Sequence, residues 1–230
     1  MPVNNHEVAA VTGERRIRIS EIWRAYHYCS ITKRLHVVGR YLSCPYDFLL
    51  SLFPPAGQIL DIGCGDGLLL FLLSNQSSSQ GRTYLGIDVA EDKIANAKRA
   101  EIPFAKFRLG DVSNLPSNTF ECVAIVDVLY LLPIARWTEI LQQAVRVLRK
   151  NGLLIVKEVA NEPRWKYWIA YFQEILAIKV IGMTKGGTPH QESIDTYRTY
   201  IEAAGIDVFK VERIDAWWPH AHVVFLARRR

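Results

Sequence analysis

Ile59-Leu60-Asp61-Ile62-Gly63-Cys64-Gly65-Asp66-Gly67 is an apolar run that reaches an acid and then opens into three glycines at alternate positions. It reads as a short strand over Gln58–Ile62, a tight turn, and a Leu-rich helix over Gly67–Ser74. Three alternate glycines exceed what a bare turn requires. Without a Cβ, they let the backbone bend sharply and come close to a ligand. In open α/β sheets, ligands sit beyond the carboxyl ends of the strands, near the point where strand order reverses.

The spacing also narrows the ligand. The dinucleotide fingerprint is G-x-G-x-x-G, whereas Gly63, Gly65 and Gly67 follow G-x-G-x-G. Asp61 is a poor neighbour for a pyrophosphate and a good one for an ammonium or sulfonium. These two features speak against a nicotinamide oxidoreductase. Asp88 ends the next apolar run, Tyr84–Asp88, and an acid there can take both hydroxyls of an adenosine ribose. Asp111, in Leu109-Gly110-Asp111-Val112, can accept from an adenine amino group. Helix capping is the simpler alternative for both acids. Val89 and Val112, beside these acids, are counted with them as cofactor-lining positions, and so is Cys64 of the turn. Arg40-Tyr41, ahead of the first strand, are candidates for a carboxylate or hydroxyl of the same ligand.

Around the glycine turn, strands and helices alternate. Thr83–Asp88, Phe104–Leu109, Phe120–Asp127 and Leu153–Glu158 read as strands. Glu91–Ala100 and Ile134–Leu148 read as helices, the latter ended by Asn151-Gly152. Residues 75–81 read as a polar loop. Such alternation predicts a doubly wound, mostly parallel α/β sheet. Upstream, residues 14–36 read as one helix, and a short helix follows Cys44-Pro45. Downstream, Arg164–Ile181 and Glu192–Ala204 read as helices. Two alternating runs, Ile206–Ile214 and His222–Arg228, predict an antiparallel pair at a sheet edge.

Taken in order, Asp61-Ile62-Gly63-Cys64-Gly65-Asp66-Gly67, Asp88, Gly110-Asp111-Val112, Asp127-Val128-Leu129-Tyr130-Leu131-Leu132-Pro133 and Leu148-Arg149-Lys150-Asn151-Gly152 resemble the successive motifs of class I S-adenosylmethionine-dependent methyltransferases. The likeness spans about residues 55–160. It implies a Rossmann-like, seven-stranded sheet with an antiparallel last strand and S-adenosylmethionine as cofactor. It also implies roles: the glycine loop at the methionine moiety, Asp88 on the ribose, Asp111 near the adenine, and Asp127 facing the reacting methyl group or holding the site's shape. On this reading residues 1–53 form an N-terminal helical cap. Residues 54–230 form the methyltransferase domain, with a helical lid inserted at about 160–204.

Relatives that methylate exocyclic base amines or glutamine amides carry [DN]-P-P-[YF] after the fourth strand. Asp127-Val128-Leu129-Tyr130 departs from it, so the pattern looks more like the small-molecule and lipid-quinone enzymes. Trp23, Tyr26, Tyr28 and Tyr41 in the first third, and Trp165, Tyr167, Trp168, Tyr171 and Phe172 after the fifth strand, suit an apolar or ring-bearing acceptor or an ordinary packed core. Tyr130, Glu158, His190 and His220 are the candidate bases for an acceptor that must lose a proton.

The whole chain sets outer limits. It has 230 residues, half of them hydrophobic, with 28 basic against 23 acidic side chains. That excludes disorder and low complexity. The four cysteines and six histidines show no metal spacing, so no metal is expected. No signal peptide or spanning segment is read, which points to a cytoplasmic protein with reduced thiols. The basic, aromatic first helix leaves peripheral contact with an anionic membrane open. No nucleic-acid module accompanies the pI near 9.0, so RNA methylation is a lesser alternative. A cofactor-binding interaction protein without turnover is the other.

Overall fold

The computed structural model describes residues 16–161, 191–214, 218 and 220–230. Seven strands form one sheet: β1 Ala56–Ile62, β2 Gly81–Asp88, β3 Ala105–Leu109, β4 Phe120–Val126, β5 Leu148–Val159, β6 Asp207–Ile214 and β7 His222–Arg228. Their order is β3-β2-β1-β4-β5-β7-β6. β1 to β5 run parallel, while β7 lies antiparallel between β5 and β6. This is the Rossmann-like sheet that the motif series implies. After β1 the chain winds outward through β2 and β3, then returns to place β4 on the other side of β1. The crevice for a ligand is therefore at the carboxyl ends of β1 and β4.

Alternation along the central strands feeds two cores. Leu60, Ile62, Val123, Ile125, Leu154 and Val156 face one side, where helix α6 (Trp137–Val147) and helix α7 (Ile194–Ala203) cover them. Trp137 and Tyr197 stack there with centroids 4.9 Å apart. Ile59, Cys122, Ala124, Val126 and Ile155 face the other side. Four helices contribute to that core: α1 (Ile19–Ala25), α2 (Ile31–Ser43), α3 (Tyr46–Leu50) and α4 (Leu68–Ser74). The N-terminal helices thus share a core with the sheet. Helix α5 (Glu91–Arg99) packs on β2 and β3.

Several local expectations change. The single helix expected over residues 14–36 is, from residue 16 onward, two, α1 and α2. Ser30 starts the second by accepting the amide of Lys33 through its hydroxyl. Tyr26 and Tyr28, in the break, send their hydroxyls to the carbonyls of Asp66 and Asn96, contacts that a continuous helix would not deliver. The helix predicted over Ile134–Leu148 begins as a short 3₁₀ turn, Ile134–Arg136, before α6. Asn151-Gly152 does not end it. β5 already begins at Leu148, and Asn151 is a left-handed residue within that strand. The polar loop after α4 holds a 3₁₀ turn, Ser77–Gln80. The predicted helix Arg164–Ile181 lies outside the described residues.

Candidate functional site

Parallel register carries the chemistry-bearing acids to one edge. Ile62 of β1 lies beside Ile87 of β2 and Ile125 of β4, and Val126 of β4 beside Lys157 of β5. Asp61, Asp88, Asp127, Lys157 and Glu158 therefore all gather at the carboxyl end of the sheet. Asp111 follows the end of β3 on the same side.

The glycine turn is held from beneath. The amides of Gly63 and Cys64 both donate to the carbonyl of Ile87, at 2.8 and 2.9 Å. Gly63 has φ +74°, and a Cβ there would lie 2.5 Å from Val128. Gly65 has φ +55°, and a Cβ there would meet nothing within 4 Å. The first glycine is thus required by packing, and the second opens a bare backbone cradle. Asp88 closes the turn. One carboxylate oxygen accepts the Gly65 amide and the other the Ala90 amide, both at 2.9 Å. Each oxygen keeps a further lone pair for a hydroxyl. Val89, next along the chain from Asp88, is 78% exposed, and Leu109, beside Asp88 in the register, is 48% exposed. Asp111 is exposed and accepts from the amide and hydroxyl of Ser113, which lower its pKa. Val112 is buried in the core instead of lining an open surface. Cys64 is buried as well, its thiol facing the carbonyl of Gly65 at 3.7 Å.

Asp61 is 2% exposed. Burial pushes its carboxyl up to about 8; Arg40 opposes this and Asp88 reinforces it. A cationic group beside Asp61 would recover that lost ionisation. Arg40 reaches in from α2 to donate to Asp127 at 3.3 Å. On the other oxygen of Asp127, the fully buried Lys157 ammonium donates at 2.5 Å. Burial works against that ammonium, but Asp127 and Cys44 hold its pKa above the ordinary lysine value. Asp127 itself takes a left-handed φ of 58°, uncommon for a residue with a Cβ, which turns the chain sharply after β4.

Glu158 is also fully buried. Its carboxylate receives the amides of Val128, Leu129 and Tyr130 at 3.1, 2.8 and 3.5 Å. Burial, with Asp127 nearby, raises its pKa to about 8. These bonds place it as an anchor of the turn beyond β4. Tyr130 is half-buried in that turn and close enough to Arg40 to influence its charge. His220 lies two residues ahead of β7, its ring 5.8 Å from that of His222. His190 lies outside the described residues, as do the aromatic residues from Trp165 to Phe172. Tyr41 spends its hydroxyl on the carbonyl of Ile17 and stacks on Tyr46, so it secures α2.

Sequence reasoning missed the clamp formed by α2. Lys33 pairs with Asp66 of the glycine turn at 2.9 Å, and Asn96 of α5 donates to the same side chain. Seven residues on, about 10 Å along the helix axis, Arg40 pairs with Asp127. His36 lies between them, its pKa lowered to about 4 by burial and then by Arg40 and Lys33. One signal for the buried pair was present: Lys157-Glu158 interrupts the apolar strand Leu153–Val159. Among the described residues, no group of three or more His, Cys, Asp and Glu side chains is placed to hold a metal ion. Nor is any helix long and apolar enough to cross a membrane.

Residues 55–205 match a family model described as a methyltransferase domain. A trans-aconitate 2-methyltransferase of Deinococcus radiodurans is 28% identical over 158 residues, 66% of this chain and 58% of the relative. An uncharacterized methyltransferase of Schizosaccharomyces pombe is 31% identical over 169 residues, 68% of this chain and 62% of the relative. The chain therefore spans about three-fifths of the length of these relatives. Among solved structures, a SAM-dependent methyltransferase of Thermotoga maritima superposes with a TM-score of 0.63 at 18% identity, over 90% of this chain and all of the other. The ordered motifs, the sheet that gathers their acids and the family match over two-thirds of the residues agree: the chain belongs to the class I S-adenosylmethionine-dependent methyltransferases.

Proposed function

We propose that the protein transfers the methyl group of S-adenosylmethionine to a small acceptor with an apolar, aromatic or lipid-like body. The carrying observation is the grip of Asp88 on the Gly65 and Ala90 amides, which holds the open glycine cradle against an acid with lone pairs to spare. In this reading Gly63, Gly65 and Gly67 shape the backbone around the methionine portion. Asp88 takes the ribose hydroxyls, Val89 packs on the adenine, and Asp111 accepts from its amino group. Asp61 faces the cationic part of the cofactor. When bound, S-adenosylmethionine supplies a methyl group already activated on a sulfonium, so alignment of the acceptor does much of what remains. Asp127, Arg40 and the turn from Val128 to Leu132 form the acceptor side. The half-buried Val128, Tyr130 and Leu132 support an apolar body. The four free cysteines support a reducing, cytoplasmic setting as part of the same proposal.

Calorimetric titration with S-adenosylhomocysteine tests the reading. Micromolar binding is expected, weakened at least about tenfold by Asp88→Asn, because a charge-assisted bond contributes roughly twice a neutral one. An absence of binding at millimolar ligand would remove the proposal.

A further inference from the structure

We propose that the acceptor is an acid, and that Arg40 leaves Asp127 to bind its anionic oxygen, a carboxylate in the simplest case. The inference rests on the methyltransferase reading above and deepens it.

Two cations meet one carboxylate at Asp127, and they are unequal partners. Lys157 is fully buried and donates at 2.5 Å. Arg40 stands farther off, at 3.3 Å, with 38% of its side chain exposed. Among the described residues, this is the one hydrogen bond its guanidinium makes, out of five N–H donors. A guanidinium is shaped for a two-pronged grip on a carboxylate, and Asp127 has already given one oxygen to lysine. Lys157 alone can neutralise Asp127. Arg40 is therefore a surplus charge at the edge of the cleft, free to exchange one oxyanion for another.

The surrounding charges leave room for an anion. Burial raises Asp61 and Glu158 to about 8, and Asp88 spends its carboxylate on the Gly65 and Ala90 amides. His36 is held neutral. Lys33 is committed to Asp66. At Asp127 itself two cations, Arg40 and Lys157, face one carboxylate. An anionic acceptor gives the second of these cations a carboxylate of its own.

The chemistry fits. A carboxylic acid is ionised at neutral pH and needs no base, and Glu158 is committed to backbone amides. The acceptor oxygen forms the O–CH3 bond as the S–CH3 bond breaks. The electron pair of the broken bond stays on sulfur as a neutral thioether, and no proton moves. Arg40 binds the anion alike in the ground state and the transition state, so its loss registers in KM more than in kcat.

The test uses the full chain loaded with S-adenosylhomocysteine. Decanoate and 3-phenylpropanoate serve as probes, with decan-1-ol and decylamine as isosteres of different charge. Calorimetry reads binding, and release of S-adenosylhomocysteine from the methyl donor reads turnover. The acids are expected to bind and the isosteres to bind about 10–100-fold more weakly. Arg40→Gln is expected to weaken acid binding by the same factor and to weaken S-adenosylhomocysteine binding far less. Arg40→Lys is expected to fall between, and unchanged melting would show both variants folded. Equal binding of the isosteres, or no acid bound at millimolar concentration, overturns the proposal. So does an Arg40→Gln protein that loses S-adenosylhomocysteine but retains 5′-methylthioadenosine, which lacks the carboxylate; Arg40 would then read the cofactor. Wild-type protein that fails to bind S-adenosylhomocysteine at all would overturn the methyltransferase reading as well, a separate and recognisable failure.

Discussion

Gly63 and Gly65 adopt the same left-handed backbone for different reasons, and substitution should separate them. In Gly63→Ala the new methyl meets Val128, so the clash adds about 1–3 kcal/mol to the backbone cost of about 1–2 kcal/mol. Urea denaturation should show that loss. Gly65→Ala has only the backbone cost, because its Cβ enters open space. It should fold and yet lose at least about tenfold in S-adenosylhomocysteine affinity, since the cradle is narrowed where the ligand approaches. Asp61 makes a second prediction at this scale. Its carboxyl, raised to about 8 by burial, must ionise to meet the cofactor's ammonium. Cofactor binding then releases a proton, and affinity should rise with pH up to about 8, approaching tenfold per pH unit. Titrations from pH 6 to 8 check this, and Asp61→Asn should flatten the profile.

Among the elements, α2 links the two loops that frame the cleft. Lys33 ties it to the glycine turn and Arg40 to the turn after β4. The break before it is part of the same device, because Tyr26 leaves α1 to bond the Asp66 carbonyl at 3.0 Å in a buried setting. Tyr26→Phe should cost about 0.5–1.5 kcal/mol, read by urea denaturation. Faster amide exchange over residues 63–67 should accompany it, because the turn loses a support. The helix period in residues 14–36 was legible, but the break was not. Spacing reports which face is apolar; it does not report a distant carbonyl that draws a tyrosine out of register. Asn151-Gly152 failed for a related reason. A left-handed residue ends many helices, but it also suits a kink inside a strand, and only the pairing partner distinguishes the two.

For the molecule as a whole, two fully buried acids at the carboxyl edge make stability depend on pH. Asp61 and Glu158 have folded pKa values of about 8, against about 4 when unfolded. Between those values the folded state retains protons that the unfolded chain has lost. Their contribution is therefore complete below about pH 4 and is lost as pH rises towards 8, by up to about 1.4 kcal/mol per unit for each group. Urea midpoints measured between pH 5 and 8 should fall, and Asp61→Asn should reduce the slope. The same fold that makes these acids costly makes them useful, since a desolvated carboxyl responds strongly to an arriving charge.

The sequence by itself determined the α/β class, the glycine cradle and the acids at the strand ends, and the resemblance of these motifs to a known family implied the cofactor. These are local properties: an alternation of periods, a turn that only glycine allows, an acid at a fixed distance along the chain. The tertiary structure alone decided which groups meet Asp127. Arg40 and Lys157 are separated from it by 87 and 30 residues. Their approach depends on strand register and on the docking of α2, and it is those contacts that set the site's charge. The aromatic residues of the first third show the same division. Their presence was plain in the sequence, but Tyr26, Tyr28 and Tyr41 direct their hydroxyls to backbone carbonyls, a commitment visible only once the chain has brought those carbonyls alongside.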